Sequence, residues 1–364
     1  MSHQPRESDS LLDWASLLRG QAHMHGLPLV SGSLKTQPEH FRVRERLPFE
    51  PEGTGEHCWV WIRKTRQNTD QLARQLARFA KVSYRDVGYS GLKDFQAVTE
   101  QWFSLWLPGR EAPDWSGFSM PGVEILREVR HSRKIKRGTH SHNEFSILLE
   151  DLEYLDGADP ASLGLRLNQV KEAGVPNYFG PQRFGQRANN LEQASQLLAG
   201  HQKVKNRALR SLLISSARSF LFNMVVSQRL RDGSFLSLYP GEPVNLDGTG
   251  SVFTSDGDKS EAKRLAKQDI HPTAPLWGRV SEETTENYPE LRQFESQVVA
   301  QYQTLSQGLQ GLGASYQRRP VRMRVADFKW QLEPSRMTLN FSLRKGQFAT
   351  SVLREFLAPS AEAA

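Results

Sequence analysis

Hydrophobic positions alternate with polar ones in two separated parts of the chain, residues 40–150 and residues 320–345. Alternation with a period of two is typical of a β-strand that buries one face. The strand-like segments are 41–45, 58–62, 102–107, 123–129, 145–149, 321–328 and 337–343. Because both parts are rich in strands, we expect the two ends of the chain to build one sheet.

Apolar residues recur at helical intervals between and around these segments. Leu72, Leu76 and Phe79 stand at i, i+4 and i+7, which predicts a helix that begins near Asn68. Further helices are predicted over 11–18, 165–173, 190–198, 208–230, 289–309 and 349–357. Residues 234–285 are rich in Gly, Ser, Thr, Asp and Pro and contain few apolar runs. We therefore expect an α+β domain that is interrupted by an insertion.

The composition narrows the class of protein. The chain has 364 residues, 47 Lys and Arg against 40 Asp and Glu, and a net charge of +7. At roughly 150 residues per domain, this length suggests about two domains. The one cysteine, Cys58, excludes an intramolecular disulfide and a cysteine-based metal site. No apolar run approaches about 18 residues and the N-terminus does not read as a signal peptide, so we expect a cytoplasmic protein with no membrane partner.

Basic residues gather in three clusters, 127–137, 203–210 and 318–324. Such clusters fit the phosphates of an extended nucleic acid, although each can equally be a solvated face. The residues that we expect to contact an RNA backbone are Arg130, Arg133, Lys134, Lys136, Arg137, Lys203 and Lys205.

Two polar segments carry candidate chemistry. Residues 88–101 join a helix to a strand and contain the charged pair Lys93-Asp94, so this loop can present a carboxylate on rigid flanks. Glycines at 88 and 91 would permit tight turns there. An ordinary turn, in which the aspartate makes an Asx-type hydrogen bond, is the alternative.

The second segment, 174–185, sets Asn177, Phe179, Arg183 and Phe184 among glycines and prolines. Aromatic faces stack on bases, amides bond base edges and arginines contact phosphates, so the segment can read an unstacked base. A buried aromatic turn is equally consistent with it.

Several other chemistries lack their motifs. The sequence has no Walker loop, no GxGxxG between a strand and a helix, and no GxSxG elbow. We therefore expect no nucleotide or other cofactor. The pairs His23/His25 and His140/His142 lack a third ligand, which favours surface or RNA-facing histidines over a metal site.

The segments GLKDFQAVTEQW at 91–102 and VPNYFGPQRFG at 175–185 resemble the two signature stretches of the TruD family of tRNA pseudouridine synthases. Three shorter stretches, at 35–43, 131–134 and 346–355, resemble the family in the same order along the chain. The resemblance implies a pseudouridine synthase catalytic domain of the α+β class, with a mixed or antiparallel sheet, interrupted by an inserted α+β TRUD domain. The implied boundaries are a lead-in at 1–30, the catalytic domain at 31–202 and 319–364, and the TRUD domain at 203–318.

The resemblance also implies an activity, the isomerisation of uridine to pseudouridine at position 13 in the D arm of tRNA. The family's catalytic aspartate falls on Asp94, which could attack C1′ or C6 or act as a base. A carboxylate that stays ionised in a water-poor pocket needs a cation beside it, and Lys35 is the candidate, with Lys93 and Arg183 behind it. The substrate contacts that we infer are Phe41, Asn177, Phe348, Phe179, Lys35 and Arg183.

Two positions, His40 and His142, depart from the family's usual Asp and Gly. The expected partner is tRNA and the expected state is a monomer. A non-catalytic tRNA-binding protein is an alternative reading. A nucleoside glycosidase is another, but it would need a second carboxylate, for which Glu39 and Glu100 are the nearby acids.

Overall fold

The protein's structure is a computed structural model that describes residues 12–280 and 287–359. The helices are α1 Trp14–Arg19, α2 Thr69–Phe79, α3 Pro160–Ala173, α4 Asn189–Leu198, α5 Arg207–Arg231, α6 Lys259–Ala266, α7 Pro289–Ala300, α8 Gln303–Gly311 and α9 Ala349–Leu353. The strands are β1 Val30–Leu34, β2 Phe41–Arg46, β3 His57–Thr65, β4 Val87–Tyr89, β5 Val98–Trp106, β6 Val123–His131, β7 His142–Tyr154, β8 Val175–Pro176, β9 Pro243–Leu246, β10 Val252–Thr254, β11 Ile270–Leu276, β12 Gln317–Pro320, β13 Arg322–Met323, β14 Ala326–Glu333 and β15 Arg336–Arg344.

The chain divides into two compact units. The sheet unit comprises Val30–Pro160 and Val325–Gly346, and the helix-rich unit comprises, of the described residues, 12–29, 161–280, 287–324 and 347–359. Residues 161–202, which we expected to belong with the sheet, thus group with the predicted insertion. The domain boundaries that the family resemblance implies stay a prediction.

The sheet unit is built on one nine-stranded sheet in the order β14-β15-β7-β2-β5-β3-β6, with β1 also paired to β7 and β4 to β5. Strands β2 and β5 are parallel, whereas the other described pairs in this sheet are antiparallel. The C-terminal strands β14 and β15 lie beside β7, so the prediction that both ends of the chain build one sheet is confirmed.

Alternation along β3 explains how this sheet buries both faces. Val60 packs with Leu72 and Leu76 of α2 in one apolar cluster. Trp59, the preceding residue, points the other way and packs with Trp102 of β5. Helix α2 begins where the sequence predicts, because the Asn68 Oδ1 accepts a hydrogen bond from the backbone N–H of Asp70 in the first turn.

The helix-rich unit is organised around α5, whose residues Phe220, Leu221, Phe222 and Val225 are fully buried. Among the described residues, α5 is the one helix whose length and composition would allow it to span a membrane, yet 61% of its apolar window is buried inside the protein. A core helix passes the same test of length and composition. We therefore interpret α5 as the central core helix of this unit.

Three predicted elements differ from the structure. The predicted helix 289–309 is two helices, α7 and α8, because Tyr302 leaves the helical region with φ −124° and ψ 59°. The predicted strand 321–328 is split between β13 and β14. The region 234–285 contains more regular structure than we expected, since β9, β10 and β11 join β12 in a four-stranded sheet.

The predicted loosely packed lead-in, residues 1–30, is partly wrong. Residues 1–11 lie outside the described residues, as does the start of the predicted helix 11–18. From residue 12 onward the segment is packed, because Trp14 in α1 is buried and meets Phe220 edge to face, with ring centroids 5.2 Å apart. An aromatic contact of this kind fixes the segment to the core of its unit.

Candidate active site

Asp94 lies in the loop between β4 and β5, beside a lysine from the preceding part of the sheet unit. The Lys35 Nζ donates a hydrogen bond to the Asp94 Oδ2 at 2.7 Å. The same ammonium lies 4.0 Å from the centroid of the Phe41 ring, at the start of β2. The Lys35 and Asp94 side chains are 23% and 33% exposed, so the pair is accessible but only partly solvated. The structure thus brings three of the predicted site residues together.

The backbone at Lys35 is strained. Its φ is 62°, in the left-handed region that side-chain-bearing residues rarely adopt. Such a conformation costs about 1–3 kcal/mol and persists only where the surroundings hold the residue in place. Contacts to both Asp94 and Phe41 are consistent with a lysine that the fold holds in a fixed position.

Lys93 does not supply the second cation that we expected near the Asp94 carboxylate. Its side chain anchors the loop between β4 and β5 instead. Its Nζ contacts the Glu45 Oε2 at 3.1 Å and donates to the Asn143 Oδ1 at 2.7 Å. Burial raises the pKa of the Glu45 carboxyl, and the ammonium of Lys93 opposes that shift. The Lys93 backbone N–H donates to the Thr69 Oγ1 at 3.2 Å. The residue before Asp94 is therefore fixed through both its backbone and its side chain.

A second buried lysine holds the backbone of Asp94 itself. The Lys64 Nζ donates to the carbonyl oxygen of Asp94 at 3.3 Å and to that of Gln67 at 2.8 Å, and the residue is wholly buried. Burial lowers the pKa of the Lys64 ammonium to about 8; Asp94 counteracts this shift, and Lys93 adds to it. A buried ammonium that donates to backbone carbonyls is a strong local constraint.

The two glycines of this segment do not act as we predicted. Neither Gly88 nor Gly91 has a positive φ, so neither is required for a left-handed turn. Gly88 is required by close packing instead, because a Cβ there would lie 2.3 Å from the Ile135 carbonyl oxygen. A Cβ at Gly91 would be in ordinary contact, 3.7 Å from the His140 ring.

His140, predicted as a surface or RNA-facing histidine, is buried. Its backbone N–H donates to the Ser90 Oγ at 2.8 Å, and its Nδ1 shares a short hydrogen bond with the same hydroxyl. Its ring also lies 4.0 Å from Glu45. Burial lowers the pKa of His140 to about 4, with further lowering from the charges of Lys93, Lys345 and His142. No local pattern indicates this burial, because a histidine is compatible with either environment.

The lowered pKa of His140 predicts a loss of stability in mild acid. Between its ordinary pKa of 6.5 and the folded value of about 4, the unfolded chain takes up a proton that the folded protein does not, so the free energy of unfolding falls as the pH falls. We expect His140 to contribute on the order of 2 kcal/mol to that loss. This contribution is measured by urea unfolding of the wild type and of His140→Gln at pH values between 6.5 and about 4. Equal pH dependence in the two proteins would contradict the assignment.

In the helix-rich unit, Asn177 and Phe179 are fixed by buried polar partners. The Asn177 Nδ2 donates to the Pro320 carbonyl at 2.9 Å, and its Oδ1 accepts from the Arg319 guanidinium at 2.5 Å. The backbone N–H and carbonyl of Phe179 both bond the side chain of Asn223, at 2.9 Å and 3.0 Å. The Asn223 amide, which lies in the core helix α5, thus satisfies both backbone hydrogen-bonding groups of Phe179, as a neighbouring strand would do in a sheet.

Two guanidinium groups and a second phenylalanine surround Phe179. Arg319 lies 4.3 Å and Arg183 5.5 Å from the centroid of its ring, and Phe348 lies 5.9 Å away. Burial lowers the pKa of both arginines, and the charge of Arg183 adds to the shift of Arg319. Both remain cations near neutral pH. The structure therefore brings Asn177, Phe179, Arg183 and Phe348 together in the helix-rich unit.

The predicted RNA-contacting residues of cluster 127–137 lie at the surface of the sheet unit. Arg133, Lys136 and Arg137 are exposed, whereas Arg130 and Lys134 are half-buried. The Arg130 guanidinium donates to the carbonyl of residue 110, the Lys134 ammonium to that of residue 85, and Arg137 to the Tyr89 hydroxyl. In the helix-rich unit, Lys203 and Lys205 are exposed in the segment that precedes α5.

In the third basic cluster, 318–324, the prediction of a phosphate-binding surface is wrong for Arg318 and Arg322, whose side chains are internal. Arg318 forms an ion pair with Glu295 at 2.6 Å. Arg322 is buried and contacts His271, with 3.1 Å between the Arg322 Nε and the Nδ1 of the ring. Charge runs in the sequence do not distinguish these internal arginines from solvated ones, because their partners lie far away along the chain.

Sequence reasoning missed Lys64, Asn223 and the position of Arg319 beside Phe179. A signal was present for two of them. Lys64 occupies a buried position in the predominantly apolar strand β3, and Asn223 interrupts the apolar run of α5. A polar residue at such a position has to find a hydrogen-bond partner inside the protein. Among the described residues, no three His, Cys, Asp or Glu side chains come together in a group that could hold a metal ion.

Comparison with known proteins gives one consistent result. The family model for tRNA pseudouridine synthase D (TruD) matches residues 20–205 and 191–356. The chain is 42% identical over 342 residues to tRNA pseudouridine synthase D of Aeromonas hydrophila, covering 94% of this chain and 95% of that protein. It is 41% identical over 332 residues to the protein of the same name from Nitrosococcus oceani, covering 90% and 91%.

A solved structure supports the same fold. A crystal structure described as that of a tRNA pseudouridine synthase D from Methanosarcina mazei matches with a TM-score of 0.70. It is 20% identical, and the match covers 96% of this chain and 98% of that one. The predicted α+β fold with a mixed sheet is thereby confirmed. With a family model and curated relatives that match over most of its length, the chain belongs to the tRNA pseudouridine synthase D (TruD) family.

Proposed function

We propose that this protein isomerises a uridine of tRNA to pseudouridine. The reaction breaks the N1–C1′ bond, turns the uracil and forms a C5–C1′ bond, with the proton on C5 passing to solvent and N1 gaining one. It needs no redox partner. The observation that carries the proposal is the partly exposed Asp94 carboxylate, held 2.7 Å from the Lys35 ammonium on an anchored loop.

The sheet unit supplies the reacting group. Asp94 either attacks C1′ or C6 as a nucleophile or takes a proton as a base, and both roles require the ionised carboxylate. Lys35 fixes the position of the carboxylate oxygens, while the Phe41 ring lies against the ammonium. A direct contact between Phe41 and the uracil stays a prediction.

The helix-rich unit supplies nucleotide contacts. Asn177, Phe179 and Phe348 offer an amide and two aromatic rings, which suit base edges and base faces. Arg183 and Arg319 suit a phosphate, because an anion would relieve the cost of holding two buried cations near each other. Modification at position 13 in the D arm, like these residue roles, is part of the proposal.

The oligomeric state, the location in the cell and the tRNA-backbone contacts also stay proposals. We infer that the enzyme acts as a monomer in the cytoplasm without a membrane partner. The seven basic residues Arg130, Arg133, Lys134, Lys136, Arg137, Lys203 and Lys205 would contact the tRNA backbone, so affinity should fall as salt rises.

Product analysis separates this function from its alternatives. tRNA transcripts labelled in uridine are incubated with the protein, digested to nucleosides and resolved by chromatography, and the modified position is mapped by primer extension after chemical derivatisation of pseudouridine. We expect pseudouridine at position 13 and no free uracil. Free uracil would indicate a glycosidase, and tight binding without any product would indicate a non-catalytic tRNA-binding protein.

The structure already bears on the glycosidase alternative. Glu100, one of the two acids considered as a second carboxylate, forms ion pairs with Arg63 at 3.0 Å and Arg44 at 3.4 Å. Both oxygens of this carboxylate are therefore engaged by guanidiniums and are not free to meet a substrate. This supports the isomerase reading.

A further inference from the structure

The loop that carries Asp94 is fixed at three of its residues, Gly91, Lys93 and Asp94. Gln101 donates to the carbonyl of Gly91 at 3.2 Å, Lys93 is held through its backbone and its ammonium, and the carbonyl of Asp94 is held by Lys64. These contacts hold the backbone from which the exposed side chains of the loop project.

Two large apolar side chains of this loop are nevertheless exposed. Leu92 is 66% exposed and Phe95 is 55% exposed, and they stand on either side of Lys93-Asp94 in the sequence. A single exposed apolar residue is ordinary. Here two of them flank the proposed reacting group in the sequence, on one anchored loop.

We propose that Leu92 and Phe95 form an apolar wedge that contacts the bases beside the target uridine and occupies the space its base leaves on extrusion. The inference rests on the proposed function. A uridine inside a folded tRNA cannot reach Asp94 while it is stacked, so it has to be turned out of the helix. Proteins that unstack bases commonly insert Phe or Leu side chains between base steps.

Distances along the chain make the wedge feasible. Consecutive Cα atoms are about 3.8 Å apart, so the Cα atoms of Leu92 and Phe95 lie within about 8 Å and 4 Å of that of Asp94. Stacked nucleotides repeat about every 3.4 Å along a strand. When the target nucleotide reaches the Asp94 carboxylate, its neighbours can therefore come within reach of these two side chains, and an aromatic ring stacks on any base.

The test compares two tRNA transcripts, the normal one and one with an abasic nucleotide opposite the target uridine. Extrusion costs least where the target is already unpaired, so the second transcript needs the wedge less. Single-turnover tritium release from [5-³H]uridine is measured for the wild type, for the double variant Leu92→Ala/Phe95→Ala, and for Leu165→Ala. Leu165 is the control because it is a leucine with similar exposure, 68%, on α3.

We expect the double variant to react about 10- to 100-fold more slowly than the wild type on the normal transcript, the size of a lost base–aromatic stack. On the abasic transcript it should come within about threefold of the wild type. Leu165→Ala should match the wild type on both. An equal loss on both transcripts, or no loss on either, would overturn the wedge while leaving the proposed function intact. A wild type inactive on both transcripts would instead overturn the proposed function on which the wedge rests.

Discussion

Asp94→Asn should abolish pseudouridine formation. The substitution keeps the size and the hydrogen-bonding shape of the side chain but removes the negative charge that either nucleophilic attack or proton removal needs. We expect the single-turnover rate of tritium release from [5-³H]uridine-labelled tRNA to fall at least about 10³-fold. The affinity for tRNA should stay the same or rise slightly, because a negative charge near the RNA has been removed.

A matched control separates the reaction from general effects of charge. Asp86, which is half-buried just before β4, offers the same chemical change outside the candidate site. Asp86→Asn should react at nearly the wild-type rate. If Asp94→Asn released tritium as fast as the wild type, Asp94 would not be the reacting group, and the proposed mechanism would have to be abandoned.

Lys35→Met should give the second-largest loss of activity. Methionine keeps a long side chain over Phe41 and carries the same backbone cost at a φ of 62°, so the change is confined to the ammonium 2.7 Å from Asp94. We expect kcat to fall about 10²-fold, in line with the loss of one positioned charge-stabilising donor at an active site. Steady-state tritium release with saturating tRNA measures kcat, and the tRNA concentration series gives KM.

The free energy of unfolding distinguishes a role of Lys35 in the reaction from a purely structural role. Ion pairs that are partly exposed contribute about 1 kcal/mol or less, so the free energy of unfolding of Lys35→Met should barely change. Lys35→Arg, which keeps the charge but not the shape, should retain more activity than Lys35→Met. A Lys35→Met enzyme with the wild-type kcat would show that the ion pair is not needed for the reaction.

The sequence predicted most of the regular structure because local patterns decide it. Period-two alternation located β2, β3, β5, β6, β7 and β15, and helical spacing with Asn68 as a cap located α2. The short strands β1 and β4 were missed, since three to five residues carry too little periodicity to be recognised. The break between α7 and α8 was missed because no glycine or proline marks Tyr302.

The candidate site was predicted through a resemblance and was explained only by the structure. The motif around Asp94 identified the loop, and the cation beside it was predicted to be Lys35. Lys93 is adjacent to Asp94 in the sequence, yet its ammonium pairs with Glu45, and the distant Lys35 pairs with Asp94. Sequence adjacency does not determine which side chains meet across a sheet.

The sequence by itself determined the class of fold, the family and the candidate for the reacting carboxylate, because alternation, helical spacing and contiguous motifs are all local properties of the chain. The tertiary structure alone decided that Lys64 and Lys93 hold the Asp94 loop, that His140 is buried, and that Arg318 and Arg322 lie inside the protein. These outcomes depend on partners that lie tens of residues away along the chain. A charged residue is buried only where the fold supplies a partner for it, and a local pattern cannot reveal that partner.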